Sequence, residues 1–341
     1  MDATIARTGR GAASLSKLAV VIILALIATL TFSNVGGSTR SGGHLEGYSS
    51  TASARMPSPL VSPLVGKSYA VPAWIPADCS ADTAQALQGW LARLPNHSRV
   101  SFPIRSCYRV EETLELRNRS SLIFDGHGVT LRSLTAPAEY RAIWRVIDSR
   151  DIVFQNMIVH GAYEDGGEHD AALQHAHAFD LRGTSAEITN VELTDLPGDC
   201  VYFGRGWTKG RSSGLITDMT CVGTSRNAVS VTAGDDILIK DVTTDAIGLT
   251  AFDIEPNEGN GWGARRVAVL NSTIGSYGLY AYALIGNAPI SDQTFVGNRG
   301  VGRKPRLGIL GKWRPRRITV HGNSVMQSNA ASPQNAAVTP R

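Results

Sequence analysis

From about residue 119 one short pattern recurs, a few alternating apolar residues closed by Asn or Asp, seen as IVFQN, AEITN, GLITD, ILIKD and VAVLN. The closing residues are Asn156, Asn190, Asp218, Asp241 and Asn271, at intervals of 34, 28, 23 and 30 residues. ITVHG, ending at Gly322, reads as a last copy after a long insertion. Irregular periods in the twenties, short strands and abundant Gly fit the coils of a parallel β-helix better than the fixed periods of helical repeats. A second strand set precedes the first in each coil, at AFDLRG (178), CVYFGR (200), AVSVTA (228) and AFDIEP (251). Each coil then has at least two strands stacked on counterparts above and below. A β-barrel or β-sandwich is the rival fold, but both are built from hairpins.

Strand alternation sorts the second set into a core and a surface. Phe179, Leu181, Val201, Phe203, Val229, Val231, Phe252 and Ile254 are expected to point inward. Two outward columns remain: Asp180, Tyr202, Ser230 and Asp253, and beside them Arg182, Gly204, Thr232 and Glu255. The open end of such a cylinder needs a cover, or its unpaired backbone recruits another chain. DTAQALQGWLARL (82–94) supplies a helix with Leu87, Trp90, Leu91 and Leu94 on one face and Asp82 or Ser80 as N-cap.

Ahead of this unit, Leu18 to Phe32 is an uncharged, mostly apolar run preceded by Arg7, Arg10 and Lys17. That asymmetry marks a secretory signal or a membrane anchor, so the protein is expected to be extracellular or at the cell surface, membrane-bound through this run if it is not cleaved. The expected organisation is a signal or anchor over 1–35, a Gly/Ser/Pro-rich flexible linker over 36–73, a β-helix domain over 74–328 and a disordered tail over 329–341. Cys79 and Cys107 flank the predicted helix, and Cys200 and Cys221 occupy matched places in the repeat. Two disulfides are expected, because an exported chain with four cysteines and no C-x-x-C favours bridges over a metal site. Residues 74–292 hold 18 bases and 27 acids, whereas nine bases and no acid follow Asp292. The basic segment Arg303 to Arg317 is read as a solvated loop, with an anionic polymer or membrane surface as the alternative. An exported chain argues against a nucleic-acid partner, and a monomer is expected.

The order of helix, coils and the segment 196–256 resembles the right-handed parallel β-helix proteins of the pectate lyase-like superfamily, and among them the polygalacturonase family of glycoside hydrolases. The resemblance covers roughly Ile75 to Val325. Polygalacturonases read N-T-D-G-x-D, then D-D-C, then a Cys and G-H-G, then R-x-K. The matching stretches here are His175 to Asp180, Gly198-Asp199-Cys200, Cys221 with Arg226-Asn227-Ala228, and Asp253-Ile254-Glu255. His177, Gly198 and Asn227 stand where that family has an Asp, an Asp and the active-site His, while Asp253 and Glu255 replace its carboxylate-binding Arg and Lys. The resemblance therefore implies the scaffold and argues against that family's substrate, in favour of a neutral or cationic sugar. Arg182, Arg205, Lys209 and Arg226 would restore positive charge at the rim.

Asp253 and Glu255 lie two apart on one strand, with Cβ atoms about 6 to 7 Å apart, and paired carboxyls suit acid and base work on a glycosidic bond. Glu255 is read as acid and Asp253 as base, with Asp199 and Asp180 as alternatives from neighbouring coils. The competing account is an acidic turn that merely ends a strand. The run Tyr163 to Asp180, with Glu164, Asp165, Glu168, His169, Asp170, His175 and His177, is read as lining the groove rather than ligating metal. No cofactor or resident metal is expected, calcium being the ion kept open. Tyr202, Trp207, Trp262, Tyr280 and Tyr282 are the aromatic candidates for stacking on sugar, with Trp262 the one expected to project. The substrate contacts inferred are His177, Tyr202, Arg182, Arg226, Trp262 and Tyr282. Two functions follow: an enzyme acting on an extracellular polysaccharide, by hydrolysis first and as a lyase or uronate epimerase second, or a non-catalytic glycan- or wall-binding module.

Overall fold

The computed structural model describes residues 55–57, 66–135, 138–163, 166–208, 210–257 and 262–326. The apolar run Leu18 to Phe32, Glu164, Asp165, Lys209 and the tail 329–341 lie outside these residues. No described helix is long and apolar enough to cross a membrane.

Every strand pairing among the described residues is parallel, which hairpins cannot produce. The eight-stranded sheet stacks β5 (Leu114–Arg117), β7 (Trp144–Ile147), β9 (Phe179–Arg182), β11 (Val201–Gly204), β13 (Val229–Val231), β16 (Thr250–Ile254), β19 (Tyr280–Gly286) and β22 (Leu307–Gly311), one strand per coil. The second sheet runs through β6 (Ser120–Arg132), β8 (Arg150–His160), β10 (Ser185–Thr194), β12 (Ser212–Thr224), β14 (Gly234–Lys240), β17 (Ala264–Leu270), β20 (Ile290–Val296) and β23 (Arg316–His321). The described residues form a right-handed parallel β-helix.

The closing residue of each repeat has a physical reason. Asn156, Asn190, Asp218, Asp241 and Asn271 all take positive φ, between 52° and 57°, and turn the chain at the same corner of successive coils. Asn and Asp tolerate this left-handed conformation better than other side chains. Asn190 Nδ2 also donates to Asn156 Oδ1 at 2.8 Å, tying one coil to the next. The stretch expected to be an insertion is instead one more coil: β20 ends next to Gly297 (φ 69°), 26 residues after Asn271, and β23 ends next to Gly322 (φ 66°), 25 further on. A glycine at the corner hid that repeat, because it serves the left-handed turn without the Asn or Asp signature. For the same reason the basic segment is no plain loop, since Leu307–Gly311 inside it forms β22.

The eight residues assigned to the core are each 0% exposed. Stacking runs coil to coil, as in Phe124 on Phe154 at 5.0 Å and Phe154 against Phe179 at 5.0 Å. Strands begin earlier than expected, since β1 (Lys67–Ala70) pairs with β3 (Ser98–Ser101) inside the segment read as linker. The helix is shorter than its periodicity suggests: α1 spans Ala84–Leu91, because 78–82 form β2 (Asp78–Asp82) against β4 (Cys107–Arg109). Asp82 Oδ1 accepts from Ala84 N at 3.0 Å, and Leu87, Trp90 and Leu91 are buried. Gln88 replaces a missing neighbour strand for β5, donating to Glu115 O at 3.0 Å and accepting from Glu115 N at 2.7 Å.

Both expected bridges, Cys79–Cys107 and Cys200–Cys221, are formed. The second is fully buried and joins adjacent coils. Cys200→Ser with Cys221→Ser should lower stability by about 3 kcal/mol, the chain-entropy cost for a loop of that length, read as a lower denaturant midpoint with a slope equal or steeper, because the unbridged unfolded chain exposes more surface.

Candidate active site: a carboxyl pair and an arginine row on one sheet

The strand register builds the predicted columns. Arg145, Asp180, Tyr202, Ser230, Asp253 and Ala283 align across β7, β9, β11, β13, β16 and β19. Beside them Arg117, Ile147, Arg182 and Gly204 align from β5 to β11, and Glu255 lies one residue past β16 with its N–H donating to Val231 O.

Asp253 is 4% exposed, whereas the Glu255 side chain is 29% exposed. Burial and then the neighbouring Glu255 push the Asp253 carboxyl well above the ordinary carboxylate range, and burial raises Glu255 as well. Asp253 Oδ2 accepts from Asn227 Nδ2 at 3.1 Å, and its Oδ1, buried without another donor, is free to share a proton with Glu255. Asp253 is too deeply buried for the separate, water-facing base expected from the two-residue spacing; the pair forms a dyad with Glu255 its solvent-reaching member. Asn227 fixes it, donating also to Ser230 Oγ at 2.9 Å and accepting from Thr250 N at 2.9 Å.

Arg226 links this dyad to the next coil. Its Nη1 donates to Asp199 Oδ2 at 2.8 Å, and its Nη2 lies 3.7 Å from Glu255 Oε2. Asp199 is fully buried and accepts from Asn227 N at 3.1 Å. Asp180, also fully buried, accepts from Arg145 Nε at 2.8 Å and Arg182 Nε at 2.7 Å, so both its oxygens are occupied. Arg145 was invisible as a site residue because its strand, WRVI, carries no corner residue of the repeat.

Two inferred contacts lie beneath the surface. His177 is 1% exposed, stacked under the Tyr202 ring at 4.8 Å, and its Nδ1 accepts from Asp199 N at 3.0 Å. Burial lowers its pKa to about 3, so it stays neutral with the proton on Nε2 and supports Tyr202 rather than touching substrate. Tyr282 pairs in register with the inward Phe252, stacks on Phe295 at 4.6 Å and donates to Gln293 Oε1 at 3.2 Å. It is core, and the partly exposed ring of that strand is Tyr280, under the Arg306 guanidinium at 4.9 Å.

The remaining candidates lie at the strand ends. At their starts, His175 stacks on Tyr140 at 4.9 Å, and Asp170 N donates to Ser225 Oγ at 2.8 Å, tying the His-rich segment to the turn before β13. Among the described residues no three His, Cys, Asp or Glu groups converge as metal ligands. Past the strand ends Trp262, 40% exposed, lies against Gly210 and Arg211, in a hollow of about 340 Å³ with Ser212, Ser213, Asp235 and Asp236.

No family model matches the chain, and no curated protein matches it. Solved structures do. One is a 1,3-alpha-1,4-beta-D-galactose-4-sulfate 3,6-anhydro-D-galactose-2-sulfate 4 galactohydrolase, at TM-score 0.54 and 16% identity, covering 72% of this chain and 61% of that one. Another is an iota-carrageenase complexed to iota-carrageenan fragments, at TM-score 0.53 and 16% identity, covering 72% and 57%. The chain thus spans about three fifths of the length of these structures. At this identity the likeness is one of fold, and the fold shared is the parallel β-helix.

Proposed function

We propose that this protein is a polysaccharide hydrolase whose proton donor is the Asp253–Glu255 dyad. The observation that carries the reading is the juxtaposition of these two carboxyls at the end of one strand, one buried and one reaching solvent, beside Arg226. Hydrolysis needs a proton delivered to the leaving oxygen and a carboxylate to draw a proton from water. Glu255 performs the first step, its carboxyl raised by burial and by the neighbouring Asp199 charge. Asp199 is the second carboxylate, and since Arg226 and Asn227 engage both its oxygens it takes the water's proton when the Arg226 contact opens. The Arg226 guanidinium stands between it and Glu255, setting a separation on the order of the 6.5 to 9.5 Å that inverting enzymes use. Asp180 holds Arg145 and Arg182 in the row where sugar hydroxyls would bind, and Tyr202 supplies a flat face supported from below by His177.

Arg145 and Arg182 share Asp180, while Arg226 faces both Asp199 and the dyad, so with one charge on the dyad three cations meet three anions and the floor favours a neutral polysaccharide. The two disulfides support a place outside the cytoplasm. The similar galactohydrolase and carrageenase act on polysaccharides in the same fold, which supports the substrate class. A fold hosts many chemistries, so the test lies in the site. Glu255→Gln should lower turnover by about 10² to 10⁴-fold while retention on the polysaccharide persists. Retention with no turnover in the unaltered protein would instead mark a binding module.

A further inference from the structure

The loop after β11 carries a feature that the dyad does not use. It leaves the strand at Gly204 and turns back toward the N-terminal coils. Gly206 packs on Gly183, just past β9, so closely that a Cβ on Gly206 would meet Gly183 Cα at 2.7 Å. Thr208 N donates to both carboxylate oxygens of Asp148, at 3.1 and 3.0 Å, and Asp148, just past β7, is 3% exposed. The loop is thereby pinned to the two preceding coils. Between these anchors Trp207 is 64% exposed, with the Arg117 guanidinium 3.7 Å from its ring centre. Arg117 ends β5 and is held in turn by Glu115 Oε1, which accepts from its Nε at 3.1 Å and its Nη2 at 2.8 Å.

A flat indole held in water by a pinned loop and a pre-oriented cation contributes little to the core. It has the form of a stacking platform for a pyranose ring, whose hydroxyls the arginine donors would meet. Its position follows from the register. Arg117 shares the column of Arg182 and Gly204 that continues toward Glu255, five strand spacings on, or about 24 Å at ~4.8 Å each. Only an oligosaccharide of several sugars spans that distance.

We propose that Trp207 and Arg117 form a remote sugar-binding subsite at the N-terminal end of the groove, stacking a ring of the same polysaccharide that Glu255 cleaves. The inference rests on the hydrolase reading, and its test separates the two. With oligosaccharides of increasing length prepared from the polysaccharide turned over, Trp207→Ala in the full chain should raise KM for the polymer and long oligomers roughly two- to tenfold at unchanged kcat. Short oligomers should show no change, and Trp207→Phe should recover most of the loss. An equal loss on short and long oligomers, or none on either, overturns the subsite and leaves the hydrolase standing. If the unaltered protein turns over no polysaccharide, the hydrolase reading falls, and retardation in polysaccharide-containing native gels decides the subsite: weaker retardation of Trp207→Ala supports it, equal retardation overturns it.

Discussion

Asp253→Asn is expected to lower turnover by about 10² to 10⁴-fold and, at neutral pH, to raise the melting temperature by about 2 to 4 °C. The two effects have one origin. Burial and the facing Glu255 raise the Asp253 carboxyl, so the folded dyad binds more protons than the unfolded chain between the ordinary carboxylate value of about 4 and the raised pKa. Its contribution to stability is intact below that value and is lost as pH rises through the raised pKa. The amide keeps the shape and still accepts from Asn227, while the buried like-charge contact disappears. Melting curves between about pH 4 and 8 should therefore show a declining limb that flattens in the variant, an instance of activity maintained against stability. A variant that melts at or below the unaltered protein with the limb intact contradicts the shared proton.

Removing the cation should act in the opposite direction. Arg226→Ala takes the partner from Asp199, which is fully buried, and a buried ion pair broken on one side loses about 3 to 5 kcal/mol. Asp199 would then stand beside the dyad without the intervening guanidinium. Arg226→Ala with Asp199→Asn should regain most of the loss, because no unpaired charge is left buried. Denaturant midpoints decide it, and a single variant within about 0.5 kcal/mol of the unaltered protein removes Arg226 from any structural role.

How much of this was legible depended on which signal the residues carried. The corner Asn and Asp residues announced the coils because few side chains accept positive φ, and the coil closed by Gly297 escaped because glycine leaves no such mark. Alternation placed Asp180, Tyr202, Ser230 and Asp253 in one column, since a strand offers only two faces. The same parity excludes Tyr282, one coil on from inward Phe252, and a register count between the two strands finds it. Linear spacing carries no information on depth, so His177 looked like a groove residue although it lies under Tyr202. Arg226 between Asp199 and Glu255, and Asp148 beneath the Trp207 loop, are contacts between coils that no local pattern encodes.

Mass spectrometry of products tests the hydrolytic use of the Asp253–Glu255 dyad most directly. The full chain and its Glu255→Gln variant would each be incubated with neutral, cationic and uronic polysaccharides, with and without calcium. The account predicts shortened chains that have gained one water, from a neutral polymer and from the unaltered protein, with almost none from the variant. Products with an unsaturated end, or undiminished hydrolysis by Glu255→Gln, would contradict it.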